Sequence, residues 1–228
     1  MTIELRNLKP SYMSESEVAG SDIYLQPSVT FEQGKKYMIC ARSGHGKTSL
    51  LNFIYGANLH YDGQILFNSQ EKPLPEASSP SLPHHSLLTP SSLPLEFRLR
   101  HLSYLFQDLC LFPELTALEN VQIKNSLTGH KSDADIEAML DALLPAGKKH
   151  QPLRTLSLGQ RQRVAAVRAL CQPFEFLLLD EPFSHLDRDT AALVADMILH
   201  EVEAQHAALL LTTLDPTPLF PFDATLRL

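Results

Sequence analysis

The 228-residue chain is 44% hydrophobic and 20% charged, the balance of a soluble globular protein with one substantial core, or one core and a smaller lobe. Its formal net charge of -7 argues against a general nucleic-acid binder, which needs a basic face to displace counterions, and leaves contact with a membrane protein open. Residues 1–10 lack the apolar run of a secretory signal, and no stretch approaches the ~18 apolar residues of a spanning helix.

Residues 1–40 read as short strands and turns, at 3–8 (IELRNL), 23–31 (IYLQPSVTF) and 35–41 (KKYMICA). The last runs into a glycine-rich loop, ARSGHGKTS at 41–49, and then a helix at 48–55 that Gly56 closes. A strand at 63–68 follows a Tyr-Asp-Gly turn. Proline and serine then recur through about 69–95, which suits a surface loop rather than a regular helix. His84 and His85 lie in it without a third ligand nearby, so they read as solvated. Strand-like sequence resumes at 101–106 (HLSYLF). From 109 to 170 the period turns helical, with Ser132 as an N-cap before 133–144 and an amphipathic helix at 161–170. Strand 174–180, helix 190–205 and strand 207–213 complete the chain. Strands alternating with helices imply an α/β fold with a parallel sheet and right-handed crossovers. Cys40, Cys110 and Cys171 sit in or beside apolar runs without a CxxC pair, as buried thiols of a reducing compartment do.

The loop at 41–49 follows a strand and opens a helix, the context in which backbone N–H groups cradle phosphates. Gly44 and Gly46 give it freedom of approach, Lys47 is placed for the β- and γ-phosphates, and the Thr48 hydroxyl for Mg²⁺. Where such loops begin with glycine this chain has Ala41, a methyl that is tolerable at negative φ. FLLLDEP at 176–182 describes a buried strand whose acids emerge at its C-terminal edge, where α/β folds bind ligands. Asp180 would reach Mg²⁺ through water.

Between these two segments lies Leu156-Ser157-Leu158-Gly159-Gln160, ahead of a basic helix. The order of the three motifs resembles the nucleotide-binding subunit of ATP-binding cassette (ABC) transporters, from Leu8 to about Asp215. The resemblance implies a P-loop NTPase fold: a mainly parallel central sheet, a small antiparallel β subdomain and a helical subdomain at about 109–170, in one domain spanning 1–228. It implies ATP and Mg²⁺ bound by residues 41–49 (Ala41, Arg42, Ser43, Gly44, His45, Gly46, Lys47, Thr48, Ser49), with Tyr12 stacking on adenine. It makes Glu181 the general base, Lys47 and Gln107 its catalytic companions, and Thr48, Gln107 and Asp180 the metal-side residues. The 156–160 turn would serve phosphates held by a second copy or a related subunit, and Ser184, His185, Leu186 and Asp187 would link the two sites.

Besides Ala41, two further positions depart from that pattern. Leu158 replaces the first of two adjacent glycines. Leu214 stands where the family places a histidine that contacts the γ-phosphate, and His200 and His206 cannot substitute by spacing. The expectation is a slow ATPase at the inner face of the cell membrane, held there by an integral-membrane partner. An ATP-gated dimer that regulates a membrane protein is the alternative. A soluble repair or translation ATPase lacks a tandem cassette here, and a small-molecule kinase leaves 156–160 without a role.

Overall fold

A computed structural model describes residues 1–42, 44–68, 88–214 and 219–228. Two sheets organise it. Strands β1 (Thr2–Pro10), β2 (Val29–Glu32) and β4 (Tyr61–Asn68) form an antiparallel sheet in the order β2-β1-β4. Strands β3 (Lys36–Cys40), β5 (Leu102–Leu105), β6 (Phe176–Asp180), β7 (Ala208–Thr213) and β8 (Ala224–Arg227) form a parallel sheet in the order β5-β6-β7-β3-β8. The helices are α1 (Lys47–Tyr55), α2 (Leu95–His101), α3 (Ala117–Asn125), α4 (Asp133–Leu143), α5 (Leu158–Leu170) and α6 (Arg188–Ala204). This is the expected P-loop architecture.

Residue parity along the central strands divides the core. Side chains alternate faces along a strand, and a strand covered on both faces is apolar throughout. Leu177, Leu179, Leu209 and Leu211 pack with α3, α4, α5 and α6. Phe176, Leu178, Ala208 and Leu210 pack instead with α1 (Leu50, Leu51, Phe53, Ile54) and with Ile3, Leu5 and Phe31 of the antiparallel sheet. Helix starts follow the chain's capping chemistry. Thr116 with Glu119, Ser132 with Asp135 and Ser157 with Gln160 each form a reciprocal capping box.

Several expectations need correction. The strand expected over 23–31 survives only as β2. Leu25 takes a left-handed φ of 58°, Pro27 has no N–H to give a ladder, and Ser21 Oγ accepts from the amides of Ile23 and Tyr24 to make a turn. The end of the Pro/Ser-rich segment is built into the fold. Leu88 bridges to Phe67, Leu93 is buried, and α2 follows directly; His84 and His85 lie outside the described residues. Helix α5 starts three residues earlier than expected, at Leu158. Strand β8, unanticipated, pairs with β3. Of the three thiols Cys171 is buried and pushed up to about 12 by desolvation, whereas Cys110 is exposed.

Candidate nucleotide site

The loop between β3 and α1 turns on two left-handed glycines, Gly44 at φ 82° and Gly46 at φ 84°. Gly46 is the N-cap of α1 and has no side chain to cap it, so the first amides of the helix face the loop as free donors at its positive end. Ala41 is outside the left-handed region, which is why its methyl is accommodated. Behind the loop stands Tyr24, fully buried, whose hydroxyl donates to the Gly46 carbonyl at 2.8 Å. A Cβ on Gly46 would lie 2.9 Å from that hydroxyl oxygen. The loop therefore needs glycine there for both backbone and space.

Lys47 is buried, with its ammonium donating to the carbonyls of Ala41 (2.9 Å) and Arg42 (3.1 Å) and 3.4 Å from Glu181 Oε1. The Thr48 hydroxyl donates to Gln107 Oε1 at 3.0 Å. Tyr12, exposed, shares a hydrogen bond with the Ser49 hydroxyl. Tyr12, Gly44, Gly46, Lys47, Thr48, Gln107 and Glu181 line one open cleft of about 180 Å³, together with Ser49. Arg42 and His45 are exposed and are not among the residues lining it, and Ser43 lies outside the described residues.

Asp180 ends β6 fully buried. Thr212 donates to its Oδ1 at 2.6 Å, while Oδ2 is buried with no partner. An orphaned carboxylate oxygen in so dry a place is costly. Together with the Thr48 and Gln107 oxygens it is the donor type a hard cation takes, and Mg²⁺ needs only one or two protein oxygens beside water and phosphate. The residues fit the ion. Glu181 follows with φ 49°, left-handed for a residue with a Cβ, and its amide donates to the Thr212 carbonyl at 3.1 Å.

The 156–160 turn does not line that cleft. Leu156 is buried, Ser157 Oγ accepts from the Gln160 amide at 3.2 Å, and Leu158 projects outward, 41% exposed. Helical geometry at Leu158 requires no glycine, unlike Gly159, where a Cβ would stand 2.7 Å from the His185 carbonyl oxygen. The serine turn is thus pressed against the 184–187 segment of its own chain. There Ser184 Oγ donates to the Glu181 carbonyl (3.1 Å). Asp187 caps α6 by accepting from Thr190 N–H at 2.9 Å, which holds its carboxyl below the usual range. Leu214 follows β7 and is 53% exposed. His200 and His206 lie at the far end of α6 and beyond it.

Sequence reasoning missed Gln162. It is buried, donates to the Glu181 carbonyl at 3.0 Å and accepts from the His185 amide at 3.1 Å. A signal existed, since 162 shares a face with 165, 166 and 169, all alanines and all buried. Tyr24 and Thr212 were missed for want of any local pattern.

Comparison with known proteins agrees with this geometry. The family model described as ABC transporter matches residues 24–184. The chain is 29% identical over 221 residues to the uncharacterized ABC transporter ATP-binding protein YclH of Bacillus subtilis, covering 95% of this chain and 88% of that one. It is 32% identical over 197 residues to the lipoprotein-releasing system ATP-binding protein LolD of Treponema denticola, covering 85% and 80%. Among solved structures, MJ0796, a bacterial ABC transporter cassette determined as a dimer, superposes with a TM-score of 0.70 at 25% identity, covering 93% of this chain and 88% of that one. The chain belongs to the ABC transporter family, as one of its ATP-binding cassettes.

Proposed function

We propose that this cassette binds and hydrolyses ATP with Mg²⁺ to drive a separate membrane-spanning protein, at whose inner face it sits. One observation carries the reading. The ammonium of Lys47 and the carboxylate of Glu181 meet at 3.4 Å in a cleft also lined by Thr48 and Gln107, so phosphate binding and proton removal share one place.

In this reading Lys47 exchanges the Ala41 and Arg42 carbonyls for phosphate oxygens, joined by the free amides of α1. A cleft of about 180 Å³ is smaller than a pocket that encloses a drug-sized ligand. It suits a phosphate chain, with the base lying outward against Tyr12. Glu181 orients a water and takes its proton. Thr48 and Gln107 would hold Mg²⁺, with Asp180 Oδ2 accepting from the ion's water; the ion would neutralise charge on the transferring phosphoryl group. The 156–160 turn, which does not line its own cleft, completes the site of a second copy in a head-to-tail pair. Leu214 offers nothing polar to the γ-phosphate, so turnover is slow.

The test is the purified Glu181→Gln chain with excess ATP and Mg²⁺, examined by light scattering. It should form a dimer that retains ATP, and Lys47→Ala should abolish both. A monomer under those conditions, with and without the membrane partner, would sink the reading.

A further inference from the structure

Two polar atoms on neighbouring strands are buried without a partner: the Tyr104 hydroxyl on β5 and Oδ2 of Asp180 at the end of β6. Both residues are more than nine-tenths buried. The strand register sets them on one face of the sheet. Tyr104 pairs with Leu178, and Asp180, two residues further along β6, faces the same way as Leu178. Such a diagonal spans roughly 7–8 Å and is within reach of an aromatic side chain. The Tyr104 ring centroid lies 3.9 Å from that of Phe106, the next residue on that face towards the edge where Asp180 stands. Burial pushes the Tyr104 hydroxyl well above its ordinary value, and among the charges that add to this Asp180 acts ahead of Asp108 and Cys110. The phenol therefore keeps its proton at any working pH and faces a carboxylate oxygen as a donor. Leaving both atoms unmet in so dry a place is unfavourable.

We propose that Tyr104 is a positioning residue for the metal side of the nucleotide site, its hydroxyl donating through one ordered water to Oδ2 of Asp180. The inference rests on the reading that Thr48, Gln107 and Asp180 serve a Mg²⁺ ion. Thr212 already donates to Oδ1 at 2.6 Å, so the second tether fixes the carboxylate at both oxygens. A carboxylate oxygen accepts two bonds, and Oδ2 stays open to the ion's own water. The tether also ties β6 to β5, the strand that ends two residues before Gln107. It thereby holds the spacing between Gln107 and Asp180. Mg²⁺ is small and demands near-ideal octahedral geometry, whereas Ca²⁺ accepts irregular surroundings. Tyr104 accordingly acts on the choice of cation more than on the affinity for nucleotide.

The experiment uses the full chain with ADP, which separates cation binding from hydrolysis. Mn²⁺ binding is followed by electron paramagnetic resonance, and Mg²⁺ and Ca²⁺ are measured by displacing it. Tyr104→Phe keeps the buried ring, so ADP affinity without metal should stay within about twofold of the natural chain. Mg²⁺ affinity should fall about tenfold, and Ca²⁺ affinity by no more than about twofold. A second measurement keeps the hydroxyl and decides the matter if the phenylalanine variant does not fold. With 3-fluorotyrosine at position 104 alone, the ¹⁹F resonance should move saturably when Mg²⁺ joins the ADP-bound chain. Unchanged Mg²⁺ affinity in Tyr104→Phe, equal losses for the two cations, an equal loss of metal-free ADP binding, or a resonance indifferent to Mg²⁺ would each overturn the role. A chain that binds ADP with Mg²⁺ yet ignores Tyr104 leaves the motor reading intact, whereas one that binds no ADP removes both.

Discussion

The Gln162 side chain fastens Glu181 by its main chain, with Nε2 donating to the Glu181 carbonyl at 3.0 Å while Oε1 accepts the His185 amide at 3.1 Å. Glu181 needs such a fastening, since φ 49° is unfavourable for any residue with a Cβ and persists only when neighbours fix it. The helix that Ser157 caps therefore sets the direction of the chain's own candidate base.

Gln162→Leu should accordingly lower kcat for ATP hydrolysis about tenfold or more while leaving KM for ATP within about twofold, because it unties two buried groups worth about 1–3 kcal/mol each. Gln162→Glu keeps the acceptor for His185 and should fall between. Steady-state kinetics on the folded variants decides it. A lowered melting temperature with kcat intact would mean that Gln162 only stabilises the fold.

The support behind the phosphate loop can be probed by Tyr24→Phe. The variant keeps the buried ring and removes one hydrogen bond to Gly46, so ATP affinity should weaken by no more than about tenfold. Gly46→Ala meets both the Tyr24 hydroxyl and a left-handed φ, and should abolish ATP binding in a fluorescent-nucleotide titration. An alanine variant that binds normally would show that the loop tolerates rearrangement.

Leu214→His restores a polar group at the end of β7. A preorganised group of this kind is worth on the order of 3 kcal/mol, or about 10²-fold in rate, and turnover should rise by up to that factor. Glu181→Gln should abolish hydrolysis in either background. If the leucine-to-histidine change leaves the rate alone, that position does not limit this enzyme.

Lys124 gives a pH prediction. Its folded value of about 8 lies below the ordinary 10.5. Between those values the unfolded chain carries a proton that the folded chain has released, so folding gains as pH rises. Below about 8 both states are protonated and the burial cost stands in full. Lys124→Met keeps the apolar stem and should be more stable than the natural chain at pH 7 by about 1–3 kcal/mol, a lead that closes towards pH 10.5. Urea unfolding at pH 7 and pH 10 measures it. An equal difference at both would refute the burial argument.

The parts legible in the sequence were those written in local chemistry. Gly46-Lys47-Thr48 between an apolar strand and a helix, the acids closing β6, and the serines that open α4 and α5 each declare themselves within a few residues. What escaped was set by distant contacts. The 23–31 segment has strand composition, yet Leu25 and Pro27 spoil the ladder and the turn exists to bring Tyr24 under Gly46. Gln162 looks like one more polar residue of a basic helix until the 181–185 turn is folded onto it. Short β8 has no pattern of its own and is defined by its pairing with β3.

The odd-even alternation along β6 and β7 makes the central sheet a partition wall with separate tenants. A methylene removed at Leu178 leaves its void among the neighbours of α1, on the loop's side; the same loss at Leu177 opens space against the other helices. Adjacent positions of equal burial and equal hydrophobicity thus carry different liabilities, and damage to one tenancy need not be heard in the other.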